Sequence, residues 1–295
     1  MIVHLNGKLL DARDAKISPF DRGFLFGDGL YEGIRATHGH AVALPQHIER
    51  MNNALREIGL SGFDARSLEP LTTELLRANN LAEAFVYWQV TRGTPAPQQG
   101  PRDRVPPNNL APTVFGFVES VPAVESYTAP RAIKAVLLPD VRWSLGHIKA
   151  ITLLGSVLAS QEAQQHGADD AILFRDGPNG ACITEGSATN VIASIDGQLV
   201  TPGLRDASIL PGVTRRLLIE AMPEIRQRPL SVAELRSADE IMLAGTRTMV
   251  ASVVQLDGKP VGAGRPGPKS HALLEALCAR LLADIHCSTG GMSNG

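Results

Sequence analysis

The sequence predicts an α+β protein of two domains, on three observations. Strand and helix signals alternate along the 295 residues, yet the intervening helices are too irregular for repeated βαβ units. Two turn pairs, Asn6-Gly7 and Asp196-Gly197, sit between short apolar runs, the pattern of β-hairpins. The segment VPAVESYTAP, residues 121–130, follows the strand signals of the first half and reads as an interdomain linker. The expected division is therefore a first domain over 1–120, the linker over 121–130, a second domain over 131–287, and a small, polar, disordered tail over 288–295.

The elements follow in order. MIVHLNGKLLDA predicts a strand pair around Asn6-Gly7, and GFLFGDGLYEGIRATHGHAVAL a glycine-interrupted β segment turning at His38 to His40. In LPQHIERMNNALREIGL, Ile48, Met51, Leu55 and Ile58 recur at helical spacing, and Gly59 supplies a stop. SLEPLTTELLRANNL is a second helix, and EAFVYWQVTRG is a strand rich in aromatic and β-branched residues. From Gly93 to Pro112 the pattern gives way to a long proline-rich loop, of a length that is usually functional or disordered. PTVFGFVESV returns to strand. Beyond the linker, RAIKAVLLPDVRW and DDAILFRDG read as strands around the helix TLLGSVLASQEAQQHG, which ends at Gly167. ACITEGSATNVIASIDGQLVTP is a hairpin at Asp196-Gly197, ILPGVTRRLLIEAM a helix after Pro211-Gly212, EIMLAGT and MVASVVQLDGKPVG strands, and KSHALLEALCARLLADI a closing helix.

Composition narrows the class of function. The chain is 44% hydrophobic, with 28 basic and 30 acidic residues giving a net charge of -2. Charges of both signs are interspersed, and no basic stripe points to nucleic acid or to an anionic membrane surface, so a small-molecule ligand is expected. Three cysteines, Cys182, Cys278 and Cys287, have neither disulfide nor metal-type spacing, which fits a reducing cytoplasm and no metal site. The N-terminus lacks a signal-peptide pattern, and no apolar run is long enough to span a bilayer.

One stretch raises a chemical question. GHIKAITLLGSVLAS is nearly all apolar or small, yet it carries Lys149 between Ile148 and Ala150. Alone, Lys149 reads as a surface lysine whose stem lies on apolar neighbours and whose ammonium reaches water. The sharper reading is an amine desolvated so that it can attack a carbonyl. The remainder of a pyridoxal phosphate site would decide: a carboxylate for the pyridine nitrogen, and a phosphate cradle from a helix start and an arginine. Candidates for both occur. ITEGSATN sets Glu185 among small residues at a strand edge. SILPGVTRR presents Val213 and Thr214 at a helix start, where free backbone amides and a hydroxyl would point at an anion. LAGTRTM adds Thr246.

Taken together, GFLFGDGLYEGIR, HIERMNNAL, VRWSLGHIKAITLLGSVLAS, ITEGSATNVI, ILPGVTRR and the GT of LAGTRTM resemble, in order and near the spacing, the class IV (fold type IV) pyridoxal phosphate aminotransferases. The resemblance runs from about Asn6 to about Leu282. It implies a small N-terminal α/β domain, a larger C-terminal domain with a barrel-like sheet, pyridoxal 5′-phosphate between them, and a homodimer with loops that cover the partner's site. By the same resemblance Lys149 is the Schiff-base lysine that also moves the substrate proton, and Glu185 partners the pyridine nitrogen. Arg50, Val213, Thr214 and Thr246 hold the phosphate, Leu210 lies against one ring face, and Tyr31 is an active-site tyrosine. Ile148, Ile151 and Leu154 are expected to keep water from the amine.

The subgroup is read from fewer residues. VRWSLGHIKAITLLGSVLASQEA is similar to the D-amino acid aminotransferases, and Leu154 stands where branched-chain enzymes usually carry a tyrosine. The loop QVTRGTPAPQQGPRDRVPP is similar to their arrangement too, in which an arginine and a histidine hold the substrate carboxylate, but here it is longer and carries Arg102 and Arg104. Arg247 follows Thr246 where a small or hydroxyl residue is common, and Arg35 in YEGIR is more typical of branched-chain enzymes. Arg35, Arg102, Arg104 and Arg247 are thus all candidates for the carboxylate. The implied reaction is ping-pong transamination between a D-amino acid, such as D-alanine or D-glutamate, and a 2-oxo acid. The alternatives are a branched-chain L-amino acid aminotransferase, an aminodeoxychorismate lyase and an (R)-amine transaminase.

Overall fold

The structure, a computed structural model, describes residues 1–177 and 180–290, with 286–290 described by their backbone alone. The chain divides into two units. The first comprises Met1–Ala123, Ile148–Thr152 and the chain from Asp284, and the second comprises Val124–His147 and Leu153–Ala283. Ile148–Thr152, which carries Lys149, thus belongs with the N-terminal unit and not with the segments that flank it in sequence.

In the first unit, β1 (Ile2–Leu5) and β2 (Lys8–Asp11) form the expected hairpin. Its turn places Asn6 and Gly7 at φ 48° and 81°, which only residues tolerant of left-handed backbone accept readily. The stretch GFLF, expected as strand, is instead α1 (Arg22–Phe26). The Asp21 carboxylate accepts from the Gly23 N–H at its start, and Gly27 at φ 67° ends it, so one capped turn outcompetes extension. Then follow β3 (Gly29–Thr37), β4 (His40–Ala41), α2 (Leu44–Glu57), α3 (Leu68–Asn79), β5 (Ala84–Thr91) and β6 (Thr113–Ser120). No helix or strand interrupts residues 92–112, in agreement with the loop expected there.

These strands form a six-stranded antiparallel sheet in the order β2-β1-β6-β5-β3-β4. Alternation in β3 sends Leu30, Ile34 and Ala36 into the core with Met51, Leu55, Leu75 and Trp88 of α2, α3 and β5. The other face carries a row of rings, Tyr31, Tyr87, Phe117 and Phe115, with successive centroids 5.6, 4.9 and 5.9 Å apart.

The second unit holds β7 (Arg131–Pro139), α4 (Leu154–Gln165), β8 (Asp170–Arg175), β9 (Cys182–Gly186), β10 (Asn190–Ile195) and β11 (Gln198–Thr201). It continues through α5 (Leu204–Ala207), α6 (Val213–Ala221), β12 (Arg226–Gln227), α7 (Val232–Arg236), β13 (Glu240–Gly245), β14 (Met249–Leu256), β15 (Lys259–Pro260) and most of α8 (Pro268–Gly290). The strands make one nine-stranded sheet in the order β12-β11-β10-β13-β14-β7-β8-β9, with β15 on β14, curled into a half-barrel. Only β11–β12, β14–β7 and β7–β8 are parallel, so the unit is α+β and not doubly wound. Because α8 runs to Gly290, residues 288–290 of the expected tail are helical, and 291–295 lie outside the described residues.

Gly116 sits opposite Trp88 across β5 and β6, and a Cβ there would meet Trp88 Cζ3 at 2.4 Å. The indole is fully buried and its Nε1 donates to Thr72 Oγ1 at 2.9 Å, so it cannot shift freely. Gly116→Ala is therefore expected to destabilise the protein by about 1–3 kcal/mol, the usual cost of overpacking. A lowered urea midpoint and a red-shifted indole emission would register it; an unchanged midpoint would show that the ring moves without cost.

Candidate active site

Lys149 owes its place to backbone pairing. The Tyr31 N–H donates to the Lys149 carbonyl at 3.0 Å and the Ile151 N–H to the Gly29 carbonyl at 3.1 Å. With a Leu30–Ala150 bridge, Ile148–Thr152 adds to the edge of β3 as a short extra strand. Lys149 Nζ then stands 4.1 Å from the centroid of the Tyr31 ring, a cation–π distance, and the ring's other neighbour is Tyr87. Burial, and secondarily the nearby Tyr31, push the Tyr87 phenol up. Of the apolar residues expected to shield the amine, Ile148 is buried, Ile151 is half-buried and Leu154 is 70% exposed.

On the opposite face of β3, Glu32 is 1% exposed among core residues. A carboxylate there needs donors, and α2 supplies two at i, i+3 on its inward face, the His47 ring and the Arg50 cation. Glu32 Oε2 lies 2.7 Å from His47 Nδ1, and Arg50 donates through Nε to Oε1 at 2.8 Å and through Nη2 to Oε2 at 2.5 Å. Burial alone would raise the Glu32 carboxyl, but the Arg50 and His47 charges and hydrogen bonds outweigh it and hold it at about 2. The ionised carboxylate can only accept, so Nδ1 is the protonated nitrogen of His47. Burial lowers the His47 imidazole; Glu32 opposes this, while Arg50 and Lys149 add to it.

The second unit gathers another set. Glu185 on β9 is 5% exposed; its Oε1 accepts from Arg142 Nη1 at 2.8 Å, and its Oε2 from Asn190 Nδ2 and the Leu210 N–H, both at 3.2 Å. Asp140 holds Arg142 in turn by a two-pronged contact, 2.9 Å on each side, and also accepts from Thr184. Asp140 is held below the usual carboxylate range: burial raises it, but Arg142, Thr184 and Arg175 outweigh that. Asn190 Nδ2 further donates to the Leu210 carbonyl at 3.1 Å, and its Oδ1 lies 1.9 Å from where a Gly212 Cβ would be. Glu185, Leu210 and the start of α6 therefore form one connected set. The N-cap of α6, Gly212, offers no side-chain cap, which leaves the Val213 and Thr214 amides for an anion. Thr246 lies in the turn between β13 and β14, and Arg247 beside it is exposed.

The candidate carboxylate arginines separate by what they already hold. Arg35 is 4% exposed and donates to the Pro122 carbonyl. Arg102 lies over the Phe26 ring at 4.8 Å and donates to the Leu25 carbonyl at 3.3 Å. Arg104 is exposed, and it is its backbone carbonyl that accepts, from Arg22. Sequence reasoning did not find Glu32, His47, Asp140, Arg142 or Asn190. The signals existed: Glu32 and His47 adjoin Tyr31 and Arg50 in YEG and HIER, Asp140 and Arg142 precede Lys149 in DVRWSLGHIK, and Asn190 ends ITEGSATN.

The chain is similar to known proteins over most of its length. Residues 29–256 match the family model for class IV amino-transferases. The D-alanine aminotransferase of Staphylococcus haemolyticus is 35% identical over 287 residues, covering 93% of this chain and 96% of that protein. Among solved structures, the branched-chain amino acid aminotransferase of Escherichia coli superposes with a TM-score of 0.84 at 25% identity, covering 96% of this chain and 95% of that one. A PLP-bound hypothetical aminotransferase from Mycobacterium tuberculosis shares the fold, with a TM-score of 0.79 at 23% identity over 96% of this chain and all of that one, 100%.

The Glu32 cluster makes acid stability testable. A carboxyl at about 2 in the folded state, against an ordinary 4.5, contributes stability that is complete above 4.5 and lost as pH falls towards 2. The lowered His47 imidazole acts in the same direction, because the unfolded chain takes up its proton first. Glu32→Gln strands Arg50 and is expected to cost about 3–5 kcal/mol at pH 7, with the gap to wild type closing between pH 4.5 and 2. Denaturant titrations at stepped pH would measure it; a gap independent of pH would contradict the assigned ionisation.

Proposed function

The chain belongs to the class IV aminotransferases, and from that premise we propose that it moves the amino group of a D-amino acid, such as D-alanine or D-glutamate, to a 2-oxo acid by ping-pong transamination. The chain is a transaminase that uses pyridoxal 5′-phosphate. When bound, that cofactor supplies an aldehyde that exchanges amines and a ring that accepts the electron pair left on the substrate Cα. The residues present fit it: the uncapped α6 start suits a phosphate, and a buried carboxylate on the same connected set suits a ring N–H.

In this reading Lys149 Nζ holds the cofactor between turnovers and carries the proton between the substrate Cα and the cofactor C4′. Tyr31, against the amine, orients it through the face of its ring. Arg142 holds the Glu185 carboxylate in place, where it would accept from the pyridine nitrogen. The Val213 and Thr214 amides, the Thr214 and Thr246 hydroxyls and Arg50 take the phosphate, with Glu32 and His47 fixing the Arg50 guanidinium. Leu210 packs on a ring face. Arg104, whose side chain is exposed on the loop, takes the substrate carboxylate in preference to Arg35 or Arg102, which are already engaged.

The observation that carries the D reading is the 35% identity to a D-alanine aminotransferase over nearly the whole chain, joined to Leu154 in place of a tyrosine. A branched-chain L-amino acid aminotransferase is the second reading, favoured by the likeness to the Escherichia coli structure. A homodimer in the cytoplasm belongs to the same proposal; among the described residues no helix is long and apolar enough to cross a membrane.

A panel of D-alanine, D-glutamate, L-leucine, L-isoleucine and (R)-1-phenylethylamine with pyruvate or 2-oxoglutarate tests the assignment. The D-amino acids are expected to turn over at least tenfold faster than the L-amino acids, and Lys149→Ala to abolish all of it. Activity confined to L-leucine and L-isoleucine would overturn the D reading, and pyruvate release from aminodeoxychorismate without an amino acceptor would make the protein a lyase.

A further inference from the structure

We propose that Arg22 is a positioning residue that sets the affinity for the substrate carboxylate, by fixing the part of the 93–112 loop that displays Arg104. The proposal rests on the reading above in which Arg104 receives that carboxylate.

Pro95, Pro97, Pro101, Pro106, Pro107 and Pro112 remove backbone donors from the loop. Its own turns satisfy the Ala96 and Gly100 carbonyls, at 2.9 and 3.1 Å, whereas the Asp103 and Arg104 carbonyls are met by Arg22. At its base, the Arg22 N–H donates to the Gly93 carbonyl at 2.9 Å and the Arg92 N–H to the Asp28 carbonyl at 3.0 Å. Gly93, at φ 92°, passes so close to Ala111 that a Cβ would lie 1.9 Å from the Ala111 oxygen, so the two ends of the loop meet. Farther out, the Arg22 guanidinium does the holding. Its Nη1 donates to the Asp103 carbonyl at 2.7 Å and its Nη2 to the Arg104 carbonyl at 3.0 Å, while Nε donates to Asp28 Oδ2 at 2.8 Å.

That geometry uses three donors of one rigid planar group, which a lysine cannot reproduce. Arg22 is 3% exposed, and its charge is met by Asp28, whose Oδ2 also accepts from Arg92 Nε at 2.8 Å. The rest of the Arg92 guanidinium donates to the Ile58 and Gly59 carbonyls just beyond α2, so the clamp is anchored to the helix that carries Arg50 and His47. Phe26 adds a second contact, with Arg22 at 4.6 Å and Arg102 at 4.8 Å from its ring centroid. Of the two arginines in PRDR, Arg102 is thereby spent on Phe26 and Leu25. The Arg104 backbone is pinned and its side chain left outward. Asp28 stands directly before β3, the strand of Tyr31, so one clamp ties the loop to the strand beside Lys149.

The test compares a ligand with a carboxylate and one without, using the holoenzyme. Arg22→Lys is expected to raise KM for the best amino acid of the substrate panel about tenfold with kcat within about twofold, and to leave the cofactor's absorbance and its rate of reaction with hydroxylamine, an amine without a carboxylate, unchanged. Arg104→Met is expected to raise the same KM, and Arg22→Lys to add nothing in that background. Asp28→Asn, which frees the guanidinium without removing it, is the second variant should Arg22→Lys fold poorly, and should move KM in the same direction.

If Arg104→Met leaves KM unchanged, the assignment of Arg104 to the carboxylate fails. If Arg104→Met raises KM while Arg22→Lys and Asp28→Asn do not, or if their effects add to that of Arg104→Met or fall equally on hydroxylamine, the role of Arg22 is overturned and the reading of Arg104 stands.

Discussion

The pairing of Ile148–Thr152 with the edge of β3 is the interaction on which the rest depends. Two backbone hydrogen bonds, which together make the Leu30–Ala150 bridge, fix the register, and with it the side of the strand on which Lys149 emerges. A slip of one residue would turn the amine away from Tyr31 and bring Ile148 or Ala150 to its place. The strand it joins is used on every side: its edge carries Lys149, one face carries Tyr31, and the other carries Glu32 over α2. A single element thus positions the Lys149 amine, the ring against it and the carboxylate that holds Arg50.

Each unit also buries carboxylates with arginines against them, Glu32 with Arg50 in the first, and Glu185 and Asp140 with Arg142 in the second. Such pairs are poor investments in stability, since desolvating two ions costs about what their attraction returns. Their value here is directional. Glu32, held in turn by His47, leaves the Arg50 guanidinium few orientations, and Arg142, itself forked onto Asp140, holds Glu185 in place. Both arrangements prepare fixed charge before any ligand arrives, which is how a site avoids reorganising at the moment of reaction.

Much of this was legible in the sequence where a local rule decides. Asn6-Gly7 and Asp196-Gly197 demand left-handed backbone and gave their hairpins, and the spacing of Met51 and Leu55 gave α2. The single turn α1 was misread because GFLF has strand composition, while Asp21 and Gly27, which cap it, are weaker signals than its aromatic residues. The unit to which Lys149 belongs was illegible for another reason: five residues that join a sheet edge through a single bridge carry no pattern that names that edge. Glu32 was nearer to hand, since strand alternation puts it on the buried face with Leu30 and Ile34, and a buried carboxylate requires the donors that HIER supplies at i, i+3. Arg35, Arg102 and Arg104 could not be ranked from sequence, because what separates them is what each already holds.

The measurement that bears most directly on the placement of Lys149 is reduction of the holoenzyme with borohydride, followed by proteolysis and mass mapping. The expected result is a phosphopyridoxyl group on Lys149 alone, in stoichiometric amount, with Lys8, Lys16, Lys134, Lys259 and Lys269 unmodified. Label on any of those lysines in its stead, or a coloured protein that yields no labelled lysine, would contradict the placement of the reactive amine on the edge of β3.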